Sequence, residues 1–328
     1  MIIRFFKSNQ QATFFAIPIL AIVLWMVGFL QSIPMTTNFP MPIYKLIMVF
    51  YAVKTDLAYR ILGFGILILQ SIYLNNIINK HEVLYRRSHL PALFYCVLMS
   101  LYIPLLNLHP VLLVNMLLIL LLDKILSLYK STSNFIAFDC GLIIGVCALI
   151  YFPSFILFLL VLIALVILRP FYWRNWIVAI LGMTVPFYFI TIYYFWIGNL
   201  RKFYAHDLPQ YFIHYLRFDF SFPRPMKVLA MLTGIVLLLS LLKLQSNFFK
   251  NAIRTRNYQI VLLIFFLLTI ASLLLSPAMR LEDFSLIAIP ASIFISYYFL
   301  STKRTIFSEV IMLLLLFLII YNQIVFKS

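Results

Sequence analysis

The sequence predicts an all-α fold, a polytopic transmembrane helix bundle of about eleven spans forming a single integral membrane domain over 1–328. Three observations carry this. Of 328 residues, 65% are hydrophobic and 10% charged, whereas a soluble domain carries about 25% charged residues. The mean hydropathy is +1.06, and the apolar stretches are continuous rather than alternating in period two, which selects helices over a β-barrel. The basic residues, which give a formal net charge of +16, fall between those stretches.

A helix needs about 20 residues to cross a hydrocarbon core. The candidate spans are 13–32, 58–78, 90–106, 110–128, 135–151, 154–168, 176–197, 228–245, 258–276, 284–300 and 306–325. The first follows Arg4 and Lys7, is too long for a signal-peptide core and lacks a small-x-small cleavage site, so it reads as a retained helix. As one helix, Asn134–Leu168 would reach about 50 Å. Pro153 in Tyr151-Phe152-Pro153-Ser154 breaks it into a hairpin, because proline removes a backbone donor and clashes with the preceding turn. Asn107-Leu108-His109-Pro110 divides 90–128 in the same way. With 8 Gly against 33 Phe, bulky packing is expected, with few close glycine-mediated helix contacts.

Charge orients the spans. With the N-terminus in the cytoplasm, the inner segments hold Arg4, Lys7, Lys80, Arg86, Arg87, Lys124, Lys130, Arg169, Arg174, Lys243, Lys250, Arg254, Arg256, Lys303 and Arg304. The outer side keeps Lys45, Lys54, Arg60, Arg201, Lys202, Arg217, Arg224, Lys227, Arg280 and Lys327, while the turns at Asn107 and Pro153 carry no basic residue. This is the positive-inside pattern. Removing either hairpin would move the Lys243–Arg256 cluster outside. Two outer segments, about 33–56 and 198–227, read as interfacial: the first is proline-rich and then apolar between Lys45 and Lys54, the second interleaves aromatic and basic residues.

Several classes are excluded. No GxxxxGK[ST], CxxC or HExxH occurs. Cys96, Cys140 and Cys147 sit inside apolar runs as small hydrophobes. No cofactor and no metal is expected. The basic charge faces lipid headgroups rather than nucleic acid.

The blocks LNNIINKHEVLYRRSHLPALFYCVLMSLY (Leu74–Tyr102), LILLLDKILSLYKSTSNFIAFDCGLIIGVCALIYFPS (Leu118–Ser154), ILRPFYWRNWIVAILGMTVPFYF (Ile167–Phe189) and RLEDFSLIAIPASIFISYYF (Arg280–Phe299) resemble an uncharacterised family of integral membrane proteins of Bacteroidota, flavobacteria above all. The resemblance covers most of the chain and implies an inner-membrane location, with no established activity to carry over. Members of that family have borne the label carotene oxygenase. Such iron enzymes need four clustered histidines, and this chain's five lie scattered at His81, His89, His109, His206 and His214.

Four polar groupings are candidates for chemistry. Arg280-Leu281-Glu282-Asp283 combines two carboxylates with a guanidinium in a short outer turn, suited to a cation or to a phosphate with a hydroxyl-rich headgroup. The plainer reading is surface pairing that fixes the turn. Asp56, flanked by Lys54 and Arg60 at the outer entrance of the second span, looks like the acid of polytopic lipid-linked-sugar glycosyltransferases, although the usual paired acidic motif is absent. Its alternative is a solvated interfacial pair. His206, Asp207, His214, Arg217 and Asp219, with Arg224 nearby, form either a proton acceptor and phosphate site or a solvated aromatic-basic helix. Asp139, near the inner end of its span, is a functional acid by default or an ion pair with Lys124 or Lys130.

Three functions follow. The chain binds or processes a lipid-linked sugar or phosphate at the outer leaflet, with Asp56 or Glu282 as base and Arg217, Arg224 and Arg280 on the phosphate. Alternatively it is a non-catalytic subunit or scaffold of an envelope complex, or a secondary transporter coupled through Asp139. The expected partners are membrane lipids, and a polyprenyl-linked glycan or another envelope protein.

Overall fold

The structure is a computed structural model that describes residues 2–7, 11–30, 56–129, 133–169, 172–202, 224–276, 280–302 and 305–325. Among these residues it is helical, with no strand. In chain order the helices are α1 (Ile2–Phe6), α2 (Gln11–Leu30), α3 (Asp56–Lys80), α4 (Leu90–Leu98), α5 (Pro110–Ser127), α6 (Phe135–Ile150), α7 (Phe158–Leu168), α8 (Trp173–Trp196), α9 (Arg224–Asn247), α10 (Ile253–Leu274), α11 (Ala288–Ser301) and α12 (Thr305–Val325). A single helical turn, Leu200–Lys202, follows α8. The expected interfacial segments lie almost wholly outside the described residues.

Among the described residues, eight helices are long and apolar enough to cross a membrane: α2, α3, α5, α8, α9, α10, α12 and the run Leu281–Ser301 that contains α11. The other apolar segments are shorter. Phe135–Ile150 and Phe152–Leu168 fall below that length, and α4 has nine residues, about 14 Å at 1.5 Å per residue. The span expected over 90–106 is therefore not one helix. It turns at Met99–Ser100 and continues as a 3-10 turn at Ile103–Leu105 led by Pro104. Proline places the other breaks. Pro110 opens α5 after an extended His109 (φ −133°, ψ 157°), where its missing N–H costs nothing. Tyr151 is likewise extended, and the 3-10 turn Phe152–Leu157 carries Pro153.

Contacts sort the chain into two ends. At the basic end, Lys80 Nζ donates to Asp123 at 3.0 Å and Lys124 Nζ to Asp139 at 2.7 Å. There the Arg4 amide meets Glu309 at 3.1 Å, and the His89 amide donates to the Phe6 carbonyl at 3.1 Å. At the opposite, proline-turn end, Asn115 donates to the Ser285 carbonyl at 3.0 Å and Gln323 to the Ser100 carbonyl at 2.9 Å. Successive segments run alternately between these ends.

The interior between them is apolar and close-packed. Phe94 of α4 stacks on Phe299 of α11 with centroids 4.8 Å apart. A polar knot at this depth is held by hydrogen bonds: Gln70 of α3 donates to the Leu112 carbonyl of α5 at 2.7 Å and accepts from the Tyr95 hydroxyl of α4 at 2.7 Å. Buried Ser272, Ser292 and Ser296 donate back to carbonyls three or four residues earlier, which satisfies each hydroxyl without a partner helix. Outward, only 17% of the apolar window of α8 and 22% of that of α9 is buried. Phe189, Phe195, Leu238 and Leu242 stand exposed. Surfaces of this kind require hydrocarbon as their solvent, and the bundle is membrane-embedded.

Glycine corrects the expectation of few close contacts. Helices α6 and α8 run parallel and touch through Gly141, Gly145 and Gly182. A Cβ on Gly182 would overlap the Phe138 carbonyl, one on Gly141 the Ala179 carbonyl, and one on Gly145 would lie 2.6 Å from the Met183 carbonyl. Glycine is rare in this chain, and these three serve a single helix pair. Gly182→Val is expected to destabilise the bundle by about 1–3 kcal/mol through overpacking against backbone that cannot yield, read as a lower melting temperature in detergent. Gly65→Ala, where nothing lies within 4 Å, is expected to leave the melting temperature unchanged or slightly raised.

Candidate functional site

The site builds from a 3-10 turn, Leu281–Ile287, that feeds α11 at the proline-turn end. Its first residues carry the two carboxylates singled out from sequence, and both are buried: Glu282 is 6% and Asp283 1% exposed. Neither carboxylate is on the surface, and the turn-fixing part of the plainer reading is seen in Asp283. Asp283 caps its own turn. Its Oδ2 accepts from the Arg280 amide at 2.9 Å and from Ser276 Oγ at 2.8 Å, while the Asp283 amide donates to the Arg280 carbonyl at 3.1 Å. Two donors thus converge on one carboxylate oxygen and tie the turn together. The Tyr151 hydroxyl, from the α6–α7 break, approaches the same carboxyl electrostatically without hydrogen-bond geometry.

A second layer comes from the α4–α5 break. His109, 2% exposed, lies 2.9 Å through Nδ1 from the Asn107 carbonyl and 3.5 Å through Nε2 from Ser285 Oγ. A carbonyl only accepts, so Nδ1 carries the proton and Nε2 presents its lone pair. Burial pushes the imidazole down to about 4. Ser285 Oγ donates to the Glu282 carbonyl at 2.7 Å. Asn115 of α5 holds a further carbonyl of the turn, on Ser285. Three chain breaks thus meet at one polar patch of carboxylates, a neutral imidazole, a phenol and hydroxyls. It can hydrogen-bond a hydroxyl-rich group and accept a proton from it.

Beside this patch lies an apolar cavity of about 510 Å³ between α4, α9, α10 and α11. Tyr102, Leu281, Phe284 and Ser285 line it next to the turn, Gly234 and Ala291 line it deeper in, and Lys227 contributes from the first turn of α9. Cavity and polar turn meet at Leu281, Phe284 and Ser285, while Glu282, Asp283 and His109 are not among the residues that line the cavity.

The other sequence candidates fare differently. Arg280 stands in the same turn, half-buried. Asp56 opens α3, but its side chain lies outside the described residues, as does that of Arg224. His206, Asp207, His214, Arg217 and Asp219 also fall outside them. Asp139 is not brought to this site: it sits at the basic end with Oδ2 2.7 Å from Lys124 Nζ, the ion pair that sequence offered as its alternative. Among the described residues, no three His, Cys, Asp or Glu come together as a metal site. In the sequence, His109 and Tyr151 stand out only as turn markers. The one signal that could have promoted them is a polar side chain beside each proline break.

The chain belongs to the family of unknown function DUF6427, whose model matches residues 26–327. No curated protein and no solved structure matches it.

The depressed His109 fixes a pH dependence. Its neutral form is favoured by the fold, so as pH falls below 6.5 the unfolded chain takes up a proton that the native chain refuses until about 4. The contribution is complete above pH 6.5 and is lost progressively between 6.5 and 4, by about 3 kcal/mol at about 1.36 kcal/mol per unit. Melting temperatures across that window are expected to fall in the wild type and to fall less in His109→Gln.

Proposed function

We propose that this chain is a multi-pass protein of the bacterial inner membrane, its N-terminus cytoplasmic and its chain crossing about eleven times, that binds a lipid bearing a sugar or phosphate head at the outer leaflet. The observation that carries this reading is that the 510 Å³ apolar cavity is walled by Leu281, Phe284 and Ser285 of the same turn that carries Glu282 and Asp283. A lipid is the one ligand class that needs both halves at once: a hydrocarbon chain for Gly234, Ala291 and Phe266, and a polar head for the turn. The cavity lies among helices that stand in hydrocarbon, so a chain enters from the bilayer without crossing water. Lys227 places an ammonium beside it, suited to a phosphate.

In the catalytic form of this reading, Glu282 or Asp56 takes a proton from the acceptor hydroxyl and Arg217 and Arg224 hold the phosphate. Asp283 stands apart from that chemistry, because two donors already occupy its Oδ2. It holds the turn that walls the cavity. The three shorter segments, α4, α6 and α7 with its 3-10 lead-in, complete their crossings through irregular backbone, which membranes tolerate where protein buries it.

A methyl group added at Gly234 would meet no atom within 4 Å, so Gly234→Leu fills the cavity without displacing backbone. Native mass spectrometry of protein released from its own membranes is expected to show bound lipid in the wild type and about tenfold lower occupancy in Gly234→Leu, the equivalent of about 1.4 kcal/mol, at unchanged melting temperature. An identical lipid complement in both would remove the lipid-binding reading and leave the scaffold one.

A further inference from the structure

The basic end holds a second cavity, of about 470 Å³, which the proposed function does not use. Arg86, Arg87, Lys250 and Arg254 line it, with Glu82 as the lone carboxylate among its lining residues. Glu82 is 3.8 Å from Arg87, and both side chains are about two-thirds exposed, so their pairing is weak and the cavity keeps a net positive charge. His81, also on the wall, is engaged elsewhere, with Nε2 2.7 Å from Asp123.

Arg254 distinguishes this cavity from a scatter of surface cations. Its Nε donates to the Tyr258 hydroxyl at 3.0 Å, and that hydroxyl donates in turn to the Leu126 carbonyl at 2.9 Å. Its guanidinium carbon lies 5.4 Å from the centroid of the Tyr258 ring and 5.8 Å from that of Tyr129. The guanidinium is thus held in place by two rings and a hydrogen bond that leaves its terminal nitrogens uncommitted by that contact. The same wall is the first turn of α10, a 22-residue helix whose N-terminal position, Ala252, supplies no side-chain cap. Ala252, Arg254 and Thr255 all line the cavity. Backbone N–H groups at an uncapped helix start add to the field of the four cations.

We propose that this cavity binds a phosphate monoester or diester, with Arg254 as the pre-positioned ligand and Arg86 and Lys250 closing on the anion. Phosphate chemistry fits because several tetrahedrally disposed oxygens can take a guanidinium, an ammonium and backbone amides together. Two sources share that chemistry: the head of an anionic phospholipid and a soluble phosphate compound. The proposal does not rest on the lipid site at the proline-turn end, since no residue is common to the two cavities.

The test uses the full chain in nanodiscs of phosphatidylcholine, alone or mixed with phosphatidylglycerol, and in detergent with inorganic phosphate or glycerol 3-phosphate. Either phosphatidylglycerol retention by native mass spectrometry or a thermal shift with the soluble phosphates is expected. The first identifies a lipid source and the second a soluble one. The Arg86→Gln/Lys250→Gln double variant, altered at exposed positions, is expected to weaken that binding about tenfold. Arg254→Lys, which keeps the charge but loses the stacked fork, is expected to weaken it as well. Arg174→Gln/Lys243→Gln removes the same charge from the same end away from the cavity, and is expected to leave binding within about twofold. Equal losses in the two double variants would reduce the effect to general surface charge and overturn the proposal, as would no response to phosphatidylglycerol or to either soluble phosphate.

Discussion

Hydrocarbon offers no partner to a charge or to an open backbone group, and each carboxylate and amide in this chain must find one inside the protein or at a bundle end. That constraint explains where the polar residues stand. Gln70 survives at mid-depth because Tyr95 and Leu112 complete its bonds. Asp123 and Asp139 sit at the basic end with lysines. Asp283 is nearly inaccessible, yet Ser276 and the Arg280 amide converge on one of its oxygens.

The same constraint makes the three chain breaks informative. A broken helix frees carbonyls and amides that have to be satisfied, which draws polar side chains to the break. Here the breaks at Asn107–His109, Tyr151–Ser154 and Arg280–Ser285 gather at one end, each closing hydrogen bonds of its own: His109 on Asn107, Ser154 on Tyr151 and Ser285 on Glu282. One of these residues, Ser285, also lines the neighbouring apolar cavity. The proposed site for an amphipathic ligand rests on this arrangement of breaks against intact helices rather than on a catalytic motif in the sequence.

Much of the architecture was legible in the residues. Pro153 and Pro110 announce two of the three breaks, because proline cannot continue a helix from its preceding turn. The Lys124–Asp139 pair was foreseeable, as both residues flank one short connection. The break at Met99–Ser100 was not, since neither residue disfavours helix strongly and Pro104 lies several residues on. Nor was the packing of α6 on α8: the spacing of Gly141 and Gly145 is visible, but their partner Gly182 lies beyond an intervening hairpin. For the site, the Arg280–Asp283 cluster was visible as a pattern of charge. Its burial was not, because Ser276, Tyr151, His109 and Asn115 reach it from different elements. The four cations of the second cavity were visible as topology signals, whereas the ring stack that fixes Arg254 depends on Tyr129 and Tyr258 meeting across helices.

The proposed topology puts the proline-turn end and the basic end on opposite sides of a membrane. Single cysteines at Asn199, just past α8, and at Glu82, in the α3–α4 connection, sit exposed at the two ends, while Cys96, Cys140 and Cys147 are buried. With a membrane-impermeant maleimide on intact cells, Asn199→Cys should label directly and Glu82→Cys only after permeabilisation. Labelling of both positions from the same side would contradict the account.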